Sequence, residues 1–373
     1  MPENKVHTAI GLMSGTSLDG VDCALIETDG RGLVRPLAFM GIPYISDDRN
    51  VIRAAFGIKD RNAEIVKKAE EIVTKEHIRA VKELLLEHDL PANKVDVIGF
   101  HGQTIFHAPH ENLTIQIGDG ARMAKEMGID VVADFRTADV QAGGEGAPLA
   151  PIYHAARIKS AKIPLPCVVL NIGGVANITW IGESEDDLLA FDCGPGNALM
   201  DDWVLSRTGK RFDENGKLAA AGKPIESFLN EWINHEYFTR IPPKSLDRDA
   251  WDIAAMGRAT KDLASVNIED GAATLMEFTV QGICRSLEHL PAIPQNFYVC
   301  GGGRHNKALM QTLVKRLYSH VKSVDELGWN GDATEAECFA YLAVRNLLGR
   351  PLSFPRTTGV PSPQNGGVLY RPE

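Results

Sequence analysis

Two rhythms of apolar and polar residues alternate along this chain. Residues 6–13 form a nearly unbroken apolar run, which reads as a strand. Hydroxyls, glycines and an aspartate interrupt it at 14–20, and the strand pattern resumes over 21–28. Asp29-Gly30-Arg31-Gly32 signals a turn, and 33–40 reads as a third strand, so the chain opens as an antiparallel meander. A different rhythm follows over 60–89. Ile65, Val66, Ala69, Ile72, Val73, Ile78, Val81 and Leu85 recur at three-to-four spacing, which predicts one long helix ended by Pro91. Short strands are predicted at 95–100, 113–117 and 129–135, with a helix over 121–127. The Gly-rich stretch 142–151 reads as a connection between lobes.

The second half repeats the opening. Residues 167–171 read as a strand, Gly173-Gly174 as a turn, and 176–181 and 188–192 as two more strands. Residues 197–267 read as mostly helical and polar, broken by Pro224 and Pro242-Pro243. A long helix follows at 271–290, then a strand at 297–300 and helices at 306–318 and 335–348. Both halves thus begin with three strands and continue with alternating helix and strand, which predicts a duplicated α/β unit. The expected division is 1–140 with about 340–373 in one lobe and 141–339 in the other. A chain of 373 residues exceeds what one core usually serves, which also favours two domains.

Composition narrows the function classes. The formal net charge is −10, and no dense Lys/Arg run offers the basic face that nucleic-acid binding needs. Six cysteines, Cys23, Cys167, Cys193, Cys284, Cys300 and Cys338, are scattered with no C-x-x-C pair, which predicts reduced thiols rather than a zinc or redox motif. Residues 1–7 lack an apolar signal core, and no stretch approaches the roughly 20 apolar residues of a membrane span. The expectation is a cytoplasmic protein with neither nucleic-acid nor membrane partners.

Candidate chemistry gathers at the turns. Ser14-Gly15-Thr16-Ser17-Leu18-Asp19-Gly20 joins two strands through glycines that let backbone N–H groups approach a phosphate, with three hydroxyls nearby. It is not a Walker A loop, and a plain hairpin is the alternative. Asn171-Ile172-Gly173-Gly174 is a comparable turn in the second half. Gly301-Gly302-Gly303-Arg304-His305-Asn306 links a strand to a helix, where free N–H groups attract anions. Phe191-Asp192-Cys193-Gly194-Pro195-Gly196-Asn197 sets one carboxylate at the end of an apolar strand, suited to a general base or to a turn. His101-Gly102-Gln103-Thr104 and Asp134-Phe135-Arg136-Thr137-Ala138-Asp139 follow strands, where α/β sheets place ligands. A metal site built from His101, His107 and His110 is disfavoured, because no H-E-x-x-H or cysteine partner accompanies them.

Together these segments resemble the anhydro-N-acetylmuramic acid kinase family. The resemblance rests on the run from Gly11 through Gly20, on His101-Gly102-Gln103-Thr104, on 130–139, on Leu170 through Gly174, on Phe191 through Asn197, and on Cys300 through Asn306, in family order and over nearly the whole chain. It implies an actin/hexokinase-like, ribonuclease H-like duplicated β-β-β-α-β-α-β-α fold in two lobes, each with a five-stranded mixed sheet, and an ATP cleft between them. The implied reaction opens the 1,6-anhydro ring of 1,6-anhydro-N-acetylmuramic acid with water and transfers the γ-phosphoryl of ATP to O6, giving N-acetylmuramic acid 6-phosphate in cell-wall recycling. By the same resemblance Asp192 is the base. Ser14, Gly15, Thr16, Ser17, Leu18, Asp19, Gly20, Val21, Asp22, Asn171, Gly173, Gly174, Gly301, Gly302, Gly303 and Asn306 bind ATP. The sugar falls to His101, Gln103, Arg136, Asp139, Gly194, Pro195, Gly196 and Glu335. Mg²⁺ bridges the phosphates, with Asp19 reaching it through water, and a homodimer is expected. The rival expectations are a kinase for another anhydro sugar such as levoglucosan, which has no lactyl carboxylate, and a non-catalytic actin-like ATP-binding protein.

Overall fold

The computed structural model describes residues 5–184, 187–246, 263 and 265–372. The chain divides into two units, residues 1–163 with 333–373 and residues 164–332.

In the first unit, β1 (His7–Ser14), β2 (Gly20–Thr28) and β3 (Val34–Pro43) form the expected antiparallel meander. β4 (Val97–Ala108) runs parallel to β1, β5 (Leu113–Ile117) pairs antiparallel with the far half of β4, and β6 (Val131–Ala133) lies parallel to its near half. The strand Val368–Tyr370 closes the sheet antiparallel to β6. This sheet has seven strands rather than the expected five, because β5 and the C-terminal strand each add an edge. The chain order across its main path is β3-β2-β1-β4-β6.

In the second unit, β7 (Cys167–Ile172), β8 (Val175–Ile181) and β9 (Leu188–Pro195) form a second antiparallel meander. β10 (Asn296–Cys300) is parallel to β7, and β11 (His320–Ser323) is parallel to β10. The order β9-β8-β7-β10-β11 repeats the third-second-first-fourth-fifth order of the first sheet, which is the duplication expected from the repeated pattern. Each unit has its own apolar core. Ile10, Leu12, Val81 and Phe100 belong to the first, and Phe191, Trp203, Phe278 and Phe297 to the second.

The predicted helix over 60–89 is Glu64–Glu87, with Val66, Ala69, Val73, Ala80, Val81 and Leu84 on its buried face. The predicted late helices are Ile268–Ser286, Lys307–Leu317 and Thr334–Leu347. Part of the 197–267 region, residues 247–262 and 264, lies outside the described residues. Helices Ser46–Ala54 and Pro151–Ser160 were not anticipated.

The units exchange at 163/164 and 332/333, not at 140/141 and 339/340. The physical reason is a buried knot. Helix Pro151–Ser160 is tied to helix Thr334–Leu347 by Arg157 Nη1 on Glu337 Oε2 at 3.0 Å, and the Tyr153 hydroxyl donates to the same carboxylate. Ser160 Oγ also donates to the Val34 carbonyl at 3.2 Å. The Gly-rich 142–151 stretch therefore lies inside the first unit.

Helix Thr334–Leu347 packs directly on the sheet. A Cβ at Gly11 would collide with the carbonyl of Ala336, and one at Gly99 with the carbonyl of Phe339. Glycine at these two strand positions lets the helix backbone touch the sheet backbone.

Candidate active site

The first unit carries the Ser14–Gly20 turn between β1 and β2. Leu18 N–H closes it on the Gly15 carbonyl at 3.1 Å, and Tyr44 N–H fixes Asp19 by its carbonyl at 3.2 Å. Leu18 adopts φ +57°, a left-handed conformation that costs a leucine roughly 1–2 kcal/mol. Its side chain is wholly buried in the first core, which is worth roughly 1.5–3 kcal/mol and offsets that strain. The anchor leaves Thr16, Ser17 and Asp19 exposed, with Gly15 half-buried and open beside them. Ser14 differs from the expectation. Its hydroxyl is buried, donates to Gln103 Oε1 at 2.7 Å and accepts from Tyr44 Oη at 3.0 Å, so it fastens β1 to β4. Gln103 is likewise fully buried. Val21 is a core residue, Asp22 is half-buried, and Gly20 packs against the Ile42 carbonyl.

β4 does not end at the His101-Gly102-Gln103-Thr104 motif but runs through it to Ala108. His101 therefore sits mid-strand, buried against helix Thr334–Leu347. Its Nδ1–H donates to the Gly102 carbonyl at 2.9 Å, and its Nε2 accepts from Arg136 Nε at 3.2 Å and Nη2 at 3.0 Å. Burial, with the Arg136 charge beside it, holds the imidazole pKa well below its ordinary value, so the ring is neutral. The Phe339 ring packs against it, tilted by 41°, with centroids 4.5 Å apart. Arg136 Nη1 donates to the Gly146 carbonyl at 2.8 Å. Three of the five guanidinium N–H groups are thus engaged, leaving one on each terminal nitrogen. Glu335 opposes the charge of Arg136. Its carboxyl is reached by solvent, yet the protein crowded around it pushes its pKa upward against the pull of Arg136. Asp139 is buried and occupied. Its Oδ1 accepts from Gly146 N at 2.6 Å and its Oδ2 from Thr358 Oγ1 at 2.6 Å, which clamps the Gly-rich loop to the C-terminal segment. His107 bonds Thr114 Oγ1 and the Glu145 carbonyl, and among the described residues no group of three or more His, Cys, Asp or Glu could hold a metal ion.

In the second unit the candidate residues gather around β9. The β8–β9 register shifts between Ala176 and Asn177, so Cys193 is an extra residue and Asp192 sits at a bulge. Bulges re-aim side chains. Asp192 is half-buried, and its Oδ2 accepts from Leu246 N at 2.7 Å. Tyr237 Oη donates to the Asp192 carbonyl at 2.8 Å, and Asp192 N–H donates to the Lys244 carbonyl at 3.0 Å. The turn after Asp192 is laced to the Gly173-Gly174 turn. Gly196 N–H donates to Gly174 O at 2.9 Å, and Asn197 N–H to Gly173 O at 2.7 Å. Gly194 and Pro195 lie in the buried end of β9.

Gly301, at φ +74°, approaches Asn171 and the Ile172 carbonyl so closely that a Cβ would collide with both, whereas Gly302 is open. Gly303 packs on Ile172. Asn306 Oδ1 caps the Lys307–Leu317 helix by accepting from Leu309 N at 3.0 Å. Arg304 braces this turn from beneath, with Nη1 on Gly301 O at 3.0 Å, Nε on Asp325 Oδ2 at 3.0 Å and Nη2 on Asp332 Oδ1 at 3.0 Å. Tyr44, Thr358, Phe339, Tyr237 and Lys244, which contact the candidate residues, carried no signal in the sequence, whereas Arg304 stood inside the glycine motif without an assigned role.

Two mixed sheets that share a five-strand order, each with a glycine-bearing turn between its first two strands, define an actin- or hexokinase-like fold. Component A of (R)-2-hydroxyglutaryl-CoA dehydratase from Acidaminococcus fermentans has a similar fold, with a TM-score of 0.50 over 91% of this chain and 99% of that one, at 13% identity. That likeness speaks for the fold alone. The anhydro-N-acetylmuramic acid kinase family matches residues 7–372, and the chain belongs to that family. It is 49% identical over 369 residues to the anhydro-N-acetylmuramic acid kinase of Rhizorhabdus wittichii, covering 98% of this chain and 99% of that one. It is also 49% identical over 373 residues to that of Zymomonas mobilis, covering 97% and 99%. The chain is accordingly an enzyme, a kinase. Among the described residues no helix is long and apolar enough to cross a membrane.

Proposed function

We propose that this kinase opens 1,6-anhydro-N-acetylmuramic acid with water and phosphorylates the freed O6 from ATP. Asp192 takes one proton from the water as its oxygen bonds the anomeric carbon, and the C1–O6 bond breaks. O6 then bonds the γ-phosphorus as the bond to the ADP oxygen breaks. The water's second proton remains on the anomeric hydroxyl. Attack at such a centre passes through an oxocarbenium-like state, as in inverting glycosidases. General-base help of this kind is typically worth about 10²–10⁴ in rate.

The observation that carries the reading is the setting of Asp192. It is a solvent-reached carboxylate at a strand bulge, held by backbone partners on its amide and Oδ2 and by the Tyr237 hydroxyl on its carbonyl. Thr16, Ser17 and the amides of the Ser14–Gly20 turn are assigned to the phosphates, as are Asn171, Gly173 and Gly174. Gly301, Gly302, Gly303 and Asn306 are assigned to the adenosine side. His101, Arg136 and Glu335, with Gly194, Pro195 and Gly196, are assigned to the sugar. Ser14, Gln103 and Asp139 support these surfaces from within. The two unspent N–H groups of Arg136 suit a carboxylate gripped in two-pronged fashion, as the lactyl group would offer. Mg²⁺, carried mainly on the phosphates with Asp19 reaching it through water, would neutralise charge developing there. A cytoplasmic homodimer is the expected form.

Turnover in oxygen-18 water tests the reaction. The label is expected on the anomeric hydroxyl and not on the phosphate, and label on the phosphate overturns the scheme.

A further inference from the structure

Arg136 is steered from two sides. His101 Nε2 accepts from Nε and Nη2, and the Gly146 carbonyl accepts from Nη1. His101 is fixed by its place in β4 and by the Phe339 ring. Gly146 has no such frame of its own. It sits at φ +69° in a loop that also holds Gly143 at φ +89°, and glycine tolerates a wide range of backbone angles. Whatever aims its carbonyl comes from elsewhere in the unit. Thr358, at the end of the short helix Pro355–Thr358, acts there twice. Its carbonyl accepts from Glu145 N at 2.7 Å, and its hydroxyl donates to Asp139 Oδ2 at 2.6 Å. Asp139 Oδ1 in turn accepts from Gly146 N at 2.6 Å, and a Cβ at Gly144 would strike that same oxygen. Thr358 is 0% and Asp139 2% exposed, so bulk water does not reach these bonds. A carboxyl turns easily about its last torsion. The Thr358 hydroxyl fixes that torsion, and the carboxylate then fixes the backbone at Gly146.

We propose that Thr358 is a positioning residue for substrate selectivity: acting through Asp139 and Gly146, its hydroxyl aims the two unspent N–H groups of Arg136 at the carboxylate of the sugar. The proposal rests on the reading that Arg136 grips that carboxylate. Every link is a short hydrogen bond inside the first unit, from the C-terminal segment to the guanidinium. Without the hydroxyl, Asp139 Oδ2 is left buried and short of a donor, which the carboxylate relieves by turning. That turn releases Gly146 N, and the guanidinium keeps its hold on His101 but loses its second guide.

The test is calorimetric binding of two probes, 1,6-anhydro-N-acetylmuramic acid and its lactyl amide, which has nearly the same shape and no charge. The wild-type protein is expected to prefer the acid. Thr358→Val keeps the shape and the carbonyl but removes the hydroxyl. It should lower the acid-over-amide preference about tenfold, the worth of one charge-assisted hydrogen bond. Thr358→Ser, which keeps the hydroxyl, should restore the preference. A purely structural role weakens both probes alike, so an unchanged ratio in Thr358→Val overturns the proposal. So does a Thr358→Ser protein that has lost the preference, because the methyl group would then be the part that matters. If circular dichroism shows that Thr358→Val does not fold, Thr358→Cys replaces it. A thiol is a weak donor, and the preference should fall about threefold. An undiminished preference there overturns the proposal. The wild-type measurement separates the two readings. No preference for the acid in wild type sinks the carboxylate assignment of Arg136 and the proposal with it, whereas a wild-type preference that Thr358→Val retains sinks only the role of Thr358.

Discussion

His77 should make the first unit acid-labile, by an amount the structure sets. It lies on helix Glu64–Glu87 with no exposed surface, its ring 4.9 Å from that of Phe100. Its Nδ1–H donates to the Val73 carbonyl at 2.7 Å, and its Nε2 has no partner. Burial of the ring lowers its pKa from 6.5 to about 4. The folded pKa is depressed, so below 6.5 the unfolded chain binds a proton that the folded chain refuses. Stability is therefore complete above pH 6.5 and is lost as the pH falls towards 4. At pH 5.0 the loss is about 2 kcal/mol from this one residue, at 1.36 kcal/mol per pH unit. Carboxyls with raised pKa values, solvent-reached Glu335 and buried Glu337 among them, act in the opposite sense just above pH 4.5, so a difference between variants is cleaner than an absolute slope. His77→Leu fills similar space without a titrating group. Urea unfolding of both proteins at pH 7 and pH 5 should show the variant gaining about 2 kcal/mol relative to wild type on acidification. All five tryptophans, at 180, 203, 232, 251 and 329, fall within residues 164–332. Far-UV circular dichroism should therefore report the acid-sensitive transition while tryptophan fluorescence stays nearly silent. A variant-to-wild-type difference that is the same at both pH values, within about 0.5 kcal/mol, would refute the reasoning.

Other substitutions probe the site. Asp192→Asn should keep ATP and sugar binding by calorimetry while losing turnover by about 10²–10⁴. Arg136→Met should raise KM for the lactyl-bearing sugar by tenfold or more and leave any turnover of levoglucosan nearly unchanged. An equal loss on both sugars would remove the carboxylate assignment. Gly99→Ala should destabilise the protein by about 1–3 kcal/mol in urea, because its Cβ meets the Phe339 carbonyl and forces helix Thr334–Leu347 outward. Wild-type stability there would mean that the helix yields freely.

The meanders were legible because long apolar strands separated by glycine turns have few other readings, and their repetition exposed the duplication. The polar four-residue β11 and the three-residue strand at 368–370 offered too little pattern, and the second of these gave the first sheet an unexpected edge. β4 was cut short because His101, Gly102 and Gln103 look like the end of an apolar run. They are strand residues whose polar groups are satisfied by Arg136 and Ser14. Asp192, Arg136 and the glycine turns could be found from their own neighbours in sequence. What each polar group does could not. Thr358 reaches Asp139 across 219 residues, and Lys244 lies 52 residues beyond the strand it attends, in a proline-broken stretch that resembles any loop.

Leu18 gives the first turn a property its polar residues do not supply. The direction in which its amides face is set by a hydrocarbon side chain plugged into the interior. Thr16 and Ser17 can then exchange for other small polar residues at little conformational cost, while trimming Leu18 would free the peptide planes on either side. A screen for weakened nucleotide affinity should thus find severe lesions at Leu18, whose greasy side chain is buried in the core.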